Sequence, residues 1–203
     1  MYIAGIDEAG RGPLMGPVTA ACVILKCDKT KLQLQEMGLT DSKKLSVKKR
    51  QEIFYFLKQA QQAQKVLIGF ASINEKIIDK INILNATKLA MQQSYLKMVQ
   101  DHNVKPSLTL VDGNFTPDID CKAQAVVKGD QKHSQIAAAS VIAKVNRDKI
   151  VDYLAQKQPV YNWQSNKGYA TKDHIQAIKL NGASIYHRQT FAPIKNLNQD
   201  LFS

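Results

Sequence analysis

Four carboxylates stand where apolar, strand-like runs end. Asp7 and Glu8 close the run 2–6, Asp112 closes 108–111, and Asp130 follows 123–128. In open α/β sheets, binding sites collect at strand ends. Carboxylates gathered there repel one another and raise one another's pKa values. Hard divalent cations relieve that repulsion through oxygen ligands, and Mg2+ suits a few carboxylates plus water and phosphate. Two such ions can flank a phosphodiester, one activating the attacking water and the other stabilising the leaving oxygen. Acids at strand ends also serve as solvent-facing residues or helix caps, so the carboxylates alone leave both readings open. Adjacent strand residues point to opposite faces. Asp7 and Glu8 are therefore expected to share a site by Glu8 already lying in the turn that Ala9, Gly10, Arg11 and Gly12 begin.

That turn has a logic of its own. Glycines permit unusual backbone angles and close approach to a ligand, and Arg11 supplies a donor fork for phosphate. So short a motif also fits an ordinary tight turn. Lys43, Lys44 and Lys144 are candidates for tracking phosphates, although any one lysine is usually a solvated charge. His133, three residues after Asp130, is read as a polar helix-start residue rather than a proton carrier. Tyr161 and Trp163 are read as core anchors rather than base-stacking platforms. His187, beside Arg188, is read as orienting the C-terminal layer, with no chemistry assigned to it.

The elements that must position these groups alternate between strand and helix. Val18–Leu25 is a β-branched run suited to a buried central strand. Ser46 caps a helix over 46–64, residues 66–72 form a strand, and Ser72 with Glu75 has capping-box spacing before another helix. A long helical pattern covers 82–100. Helix 134–156 carries the small run Ala137, Ala138, Ala139 and Ser140, which suits close packing on a sheet. A shorter helix is expected over 171–180. The polar, basic stretch after Pro159 is read as a small helical layer on the same unit, giving a core over 1–157 and an extension over 158–203.

The 203 residues carry 28 Lys+Arg against 17 Asp+Glu, a formal net charge of +11. That balance favours a polyanionic partner such as nucleic acid. No run approaches the roughly 20 apolar residues of a membrane helix. The N-terminus lacks a cationic leader, and Cys22, Cys27 and Cys121 show neither disulfide nor zinc spacing, which fits a reducing cytoplasm.

Taken in order, the motifs resemble the ribonuclease HII family. They begin with Gly5-Ile6-Asp7-Glu8-Ala9-Gly10-Arg11-Gly12-Pro13 and Gly16-Pro17-Val18, then Asp41-Ser42-Lys43-Lys44-Leu45-Ser46. Asn82-Ile83-Leu84, Val111-Asp112-Gly113-Asn114 and Lys128-Gly129-Asp130 follow, then Ile136 to Ser140 with Ala143-Lys144-Val145 and Arg147-Asp148. The last are Lys167-Gly168-Tyr169 with Thr171 and His174, then His187-Arg188 and Phe191-Ala192-Pro193. The similarity spans nearly the whole chain. Met15, Thr19 and Ala170 depart from the family pattern, and none of the four acids is missing.

The resemblance implies a ribonuclease H-like α/β fold: a mixed five-stranded sheet flanked by helices, with a small helical C-terminal extension. It implies an endonuclease that cuts RNA–DNA hybrids and nicks 5′ of ribonucleotides embedded in duplex DNA, leaving 3′-hydroxyl and 5′-phosphate ends. Asp7, Glu8, Asp112 and Asp130 would be catalytic and would bind two Mg2+ or Mn2+ ions. The backbone of Gly10, Arg11 and Gly12 would contact the ribose 2′-hydroxyl, and Tyr169 would stack on the next deoxyribose. Lys43 and Lys144 would meet phosphates. The enzyme is expected to be monomeric. The tail Asn198-Gln199-Asp200-Leu201-Phe202 partly resembles a sliding-clamp binding motif, with Asn198 in place of the expected glutamine. Two other readings compete: a non-catalytic hybrid-binding module, and a phosphoesterase acting on small phosphates or on DNA alone. The complete acid set opposes the first; the Gly-Arg-Gly loop with Tyr169 opposes the second.

Overall fold

The structure, a computed structural model, describes residues 1–39 and 45–196. Its centre is one mixed sheet in the order β3-β2-β1-β4-β5. β1 (Ile3–Ala9) pairs antiparallel with β2 (Val18–Leu25), and β2 pairs likewise with β3 (Val66–Ile73). On its other side β1 runs parallel to β4 (Leu108–Asp112), which runs parallel to β5 (Ala123–Val126). β2 is buried on both faces, as its unbroken apolar run requires.

Helices cover the sheet on both sides. The short α1 (Asp28–Glu36) follows β2, and α2 (Val47–Gln62) is capped by Ser46, whose hydroxyl accepts from Lys49 N at 3.2 Å. α3 (Glu75–His102) packs on one face, around Ile6, Cys22, Ile24, Tyr95 and Met98. α4 (Ser134–Lys157) packs on the other with α2, around Val23, Ile53, Leu57, Ala138 and Val141. The small run in α4 matters at Gly5. A Cβ there would lie 2.4 Å from the Gln135 carbonyl carbon and 2.5 Å from Ile136 N, so the helix backbone rests directly on β1.

The departures from the expected elements have local causes. β1 runs three residues past Ile6, so Glu8 lies in the strand opposite Ala20 and not in a turn. Asn74 caps α3 instead of Ser72, which stays in β3. α3 kinks at Asn82 (φ 66), whose Oδ1 accepts from Asn85 N at 3.0 Å. The expected start of a helix at Asn82 is thus the start of the segment after the kink. β5 stops at Val126 because Lys128 turns left-handed (φ 55) into the 3-10 turn Gly129–Gln131. α1 was not anticipated; only Thr30 and Leu34 are buried along it, too few to imprint a helical period.

The C-terminal layer contains α5 (Trp163–Asn166) and α6 (Lys172–Asn181, capped by Thr171). It closes on α4 and the 10–17 loop through Leu14, Met15, Val151, Tyr161, Trp163 and Ile178. Trp163 is fully buried and stacks on Tyr161, with ring centroids 4.9 Å apart, so both are core anchors. The indole N–H donates to His174 Nε2 at 2.9 Å, which makes that nitrogen an acceptor. His187 Nε2, at 3.1 Å, must then donate to it, while His174 Nδ1 donates to the Tyr169 carbonyl at 2.8 Å. His187 Nδ1 accepts from Ser184 N at 2.8 Å. Every partner suits two neutral rings.

Burial first, and His174 second, hold His187 down to about 4, against an ordinary value of 6.5. Burial also lowers His174. Between those two values the unfolded chain binds a proton at His187 that the folded chain refuses, so stability falls as pH falls. The contribution is complete above 6.5 and is lost on the way down to about 4. In denaturant titrations the stability gap between wild type and His187→Asn should narrow on acidification by on the order of 3 kcal/mol. A gap that stays constant with pH would show that the ring is not held neutral.

Candidate active site

The β1–β4 pairing ends with Ile6 opposite Val111, so the next residues on the two parallel strands are Asp7 and Asp112. Asp7 is 5% exposed and lies on the α4 side, where the Ser140 hydroxyl hydrogen-bonds it. Burial, then the charges of Glu8 and Asp112, push its carboxyl well above the usual range, against the pull of Ser140 and the Glu8 amide. Glu8 is raised by burial too. Arg11 opposes that rise and Asp112 adds to it. Glu8 therefore joins the acids from within the strand. It lies past the last β1–β4 pair, where its longer side chain is free to bend round the sheet end.

The structure brings Asp7, Glu8 and Asp112 within electrostatic reach of one another. Asp130 is 9% exposed in the 3-10 turn, one residue after Gly129, whose amide donates to Asp112 Oδ1 at 2.7 Å. Among the described residues, no three Asp, Glu, His or Cys side chains stand in an arrangement that could hold a metal ion directly. The carboxylates instead face protein donors: Asp7 Oδ1 accepts from Glu8 N at 2.7 Å, and Glu8 Oε1 from Arg11 at 3.4 Å. Glu8 Oε2 is buried and has no partner. Hard, negatively charged oxygens with one orphaned acceptor fit a hard divalent cation; side-chain rotation at these positions would be needed to converge on it.

Beside the acids runs a groove of ≈ 540 Å³ lined by Glu8, Gly10, Arg11, Gly12, Lys144 and Tyr169, among others. Gly10 is required twice over. Its φ is +95, and a Cβ would sit 2.1 Å from Arg147 Nε. Gly12 differs, because a Cβ there would make ordinary contact with the Tyr169 ring, 3.7 Å from Cε1. Its bare backbone therefore opens the groove toward Tyr169, which is 48% exposed. The Arg11 guanidinium lies over Phe115, 5.2 Å from the ring centroid. Lys144 is tied to Asp148 at 2.7 Å, and Asp148 also lies 3.8 Å from Arg50. Lys43 lies outside the described residues.

The sequence reading missed several supporting groups. Ser140 was taken only as a small packing residue. Arg147 and Arg188 are both fully buried, and both donate to main-chain carbonyls of the 10–17 loop. Phe115, which holds Arg11, carried no local signal, and Asp148, which holds Lys144, none beyond its place in a motif.

A family model described as Ribonuclease HII matches residues 4–194. A ribonuclease HII of Pelagibacter ubique is 47% identical over 196 residues, covering 96% of this chain and 98% of the relative. One of Bacillus licheniformis is 46% identical over 194 residues, covering 96% and 71%. Among solved structures, the fold is similar to ribonuclease H2 of Pyrococcus horikoshii (TM-score 0.75, 22% identity, 100% of each chain). It is also similar to Bst-RNase HIII in complex with Mn2+ (TM-score 0.75, 17% identity, 98% of this chain and 70% of that one). A third is the RNase HII of the Archaeoglobus fulgidus PCNA complex (TM-score 0.70, 23% identity, 94% and 95%).

Because the added methyl would clash with nothing in the protein, Gly12→Ala should fold normally, with a melting temperature within about 2 °C of wild type. It should still weaken binding of a ribonucleotide-containing duplex by about tenfold, about 1.4 kcal/mol. Fluorescence anisotropy and thermal melts check the two halves; unchanged affinity would show that ligands do not enter the groove beside Gly12.

Proposed function

The chain belongs to the ribonuclease HII family and is a ribonuclease H, a hydrolase of the RNA strand in RNA–DNA hybrids; from that premise we propose that it also nicks duplex DNA 5′ of embedded ribonucleotides, leaving 3′-hydroxyl and 5′-phosphate ends. The observation that carries the proposal is the single groove in which Glu8, the Gly10, Arg11 and Gly12 loop, Lys144 and Tyr169 face one space. A phosphodiester strand needs acid, phosphate donors and a sugar platform side by side, and this groove supplies all three.

In this reading Asp7, Glu8, Asp112 and Asp130 hold two divalent ions, Mg2+ or Mn2+. Support comes from the all-oxygen donor set, the unpartnered Glu8 Oε2 and the burial, with repulsion from Glu8 and Asp112 added, that lifts the Asp7 carboxyl. A structural neighbour, Bst-RNase HIII, is itself in complex with Mn2+. Such ions, when bound, supply an activated water and a stabilised leaving oxygen. The protein's own groups do the rest. The amides of the 10–12 loop donate to the ribose 2′-hydroxyl, which tells RNA from DNA at that sugar. Tyr169 stacks on the following deoxyribose, its main chain held by His174 at 2.8 Å. Lys144 meets a phosphate, and Lys43, outside the described residues, meets another. The chain acts as one monomeric unit over 1–203, in the cytoplasm. No helix of the described residues is long and apolar enough to cross a membrane.

The tail from Asn198 to Phe202 also lies outside the described residues. We propose that it binds a sliding clamp, a reading favoured by the archaeal neighbour's complex with PCNA. Deleting the last five residues should abolish clamp affinity in a pull-down; retained affinity sinks the idea.

The central test is a labelled DNA duplex bearing one ribonucleotide, incubated with Mg2+, with Mn2+ or with chelator. Wild type should give one metal-dependent nick 5′ of the ribonucleotide and leave an all-DNA duplex intact. Asp112→Asn should lose several kcal/mol of transition-state stabilisation, on the order of a thousandfold in rate. In parallel, Mn2+ binding by calorimetry should weaken in the same variant. Binding of the duplex by wild type without cutting under either metal would favour a binding module.

A further inference from the structure

Arg188 is completely buried, and a buried guanidinium must place its donors. It places them on main-chain carbonyls. Nε and one terminal nitrogen donate to Gly16 O at 3.0 and 2.9 Å. The same terminal nitrogen donates to Gly10 O at 2.6 Å, and the other to Arg11 O at 2.9 Å. One side chain from the C-terminal layer thus gathers three carbonyls of the loop that lines the groove.

The consequence follows from peptide geometry. In a trans peptide the C=O and the next residue's N–H point in opposite directions. If the Gly10 carbonyl is drawn inward, the Arg11 N–H points outward; if the Arg11 carbonyl is drawn inward, so does the Gly12 N–H. Among the described residues neither amide has a protein acceptor. Both belong to residues that line the groove. We propose that Arg188 is a positioning residue for ribonucleotide selection: it fixes the two peptide planes so that the Arg11 and Gly12 amides face the sugar. This rests on the reading of the 10–12 amides given above.

Two further features allow a controlled test. Arg147 is equally buried and also donates to carbonyls, but to Pro17 O, Met15 O and Lys167 O, at 3.1, 3.2 and 3.2 Å. Within that loop it donates only to the far end and, although its side chain packs against Gly10, makes no hydrogen bond to the two carbonyls in question. Asp79 accepts from Gln189 N at 2.8 Å, and from Thr190 N and Oγ1 at 3.0 and 2.6 Å, fastening the residues that follow Arg188 to α3. Lysine cannot replace Arg188 in this role, since an ammonium lacks the planar fork that spans separate carbonyls.

The experiment measures affinity, in chelator, for a DNA duplex with one ribonucleotide and for the same duplex with the matching deoxyribonucleotide. Wild type should prefer the first. Arg188→Lys should lose about tenfold of that preference, the worth of about one hydrogen bond, with all-DNA affinity unchanged. Arg147→Lys should lower the melting temperature comparably and keep the preference. Asp79→Ala, which spares the core, should lose part of it, and it decides the matter alone if Arg188→Lys does not fold. A preserved preference in the foldable variants, or an equal loss for both duplexes, overturns the role of Arg188. A wild type with no preference overturns the reading of the amides, and this inference with it.

Discussion

The parallel pairing of β1 with β4 stops at Ile6 and Val111, and Asp7 and Asp112, two of the acids proposed to carry the chemistry, lie one residue beyond that stop. Asp7, inside β1, and Asp112, the last residue of β4, place like charges side by side with no freedom to separate, because both backbones are held in the sheet. The rest of the site accommodates that constraint. Ser140 donates to Asp7, the Gly129 amide to Asp112 and Arg11 to Glu8, each removing part of the repulsion without removing the charge. What they leave uncompensated, the raised Asp7 carboxyl and the bare Glu8 Oε2, is what a hard cation would use.

Such crowding is costly, and the packing beneath it is correspondingly rigid. β2 is buried on both faces, and the α4 backbone lies against Gly5 with no room for a Cβ. The strand that carries Asp7 is therefore clamped between a sheet partner on each edge and a helix on one face. The loop beyond it is held by buried guanidinium groups on its carbonyls as well as by the apolar side chains of Leu14 and Met15. Its glycines have no side chains to bury, so the order of the 10–12 stretch must come through its main chain. Two arginines with five donors each suit that task better than any apolar side chain.

How much of this was legible beforehand depends on the range of the interaction. β2 was visible because its run from Val18 to Leu25 is apolar but for Thr19 and rich in β-branched residues. The cap at Ser46 is local and was found, while Thr171, read as the first residue of its helix, is instead its cap. The acids were singled out as strand ends and by motifs that resemble one family; Asp112 does end its strand, whereas Asp7 and Glu8 lie inside β1 and Asp130 lies in a 3-10 turn. α1 was missed because its burial is too sparse to show a period. Glu8 was assigned to a turn on the alternation rule, which ignores that a strand can outrun its neighbour on one edge while staying paired on the other. The roles of Arg188 and Arg147 were invisible in principle. Their carbonyl partners in the 10–17 loop lie more than a hundred residues away in sequence, and a carbonyl carries no residue identity.

Those long-range contacts change how the C-terminal layer is understood. It was expected as a polar, basic helical layer, yet its interior holds a neutral, tightly paired ring cluster beside the buried Arg188. Trp163, His174 and His187 satisfy one another, and the chain of bonds ends on the Tyr169 carbonyl. From the same layer Arg188 reaches Gly10 and Arg11. Both walls of the groove, the glycine loop and the tyrosine, are thus held from the same C-terminal layer by two sets of buried hydrogen bonds. The spacing between them, which a Cβ at Gly12 would narrow to 3.7 Å, is then a property of that layer rather than of either wall. The proposed choice between two sugars by a single hydroxyl calls for walls fixed relative to each other. Anchoring both in one layer suits that reading without placing any further side chain in the groove.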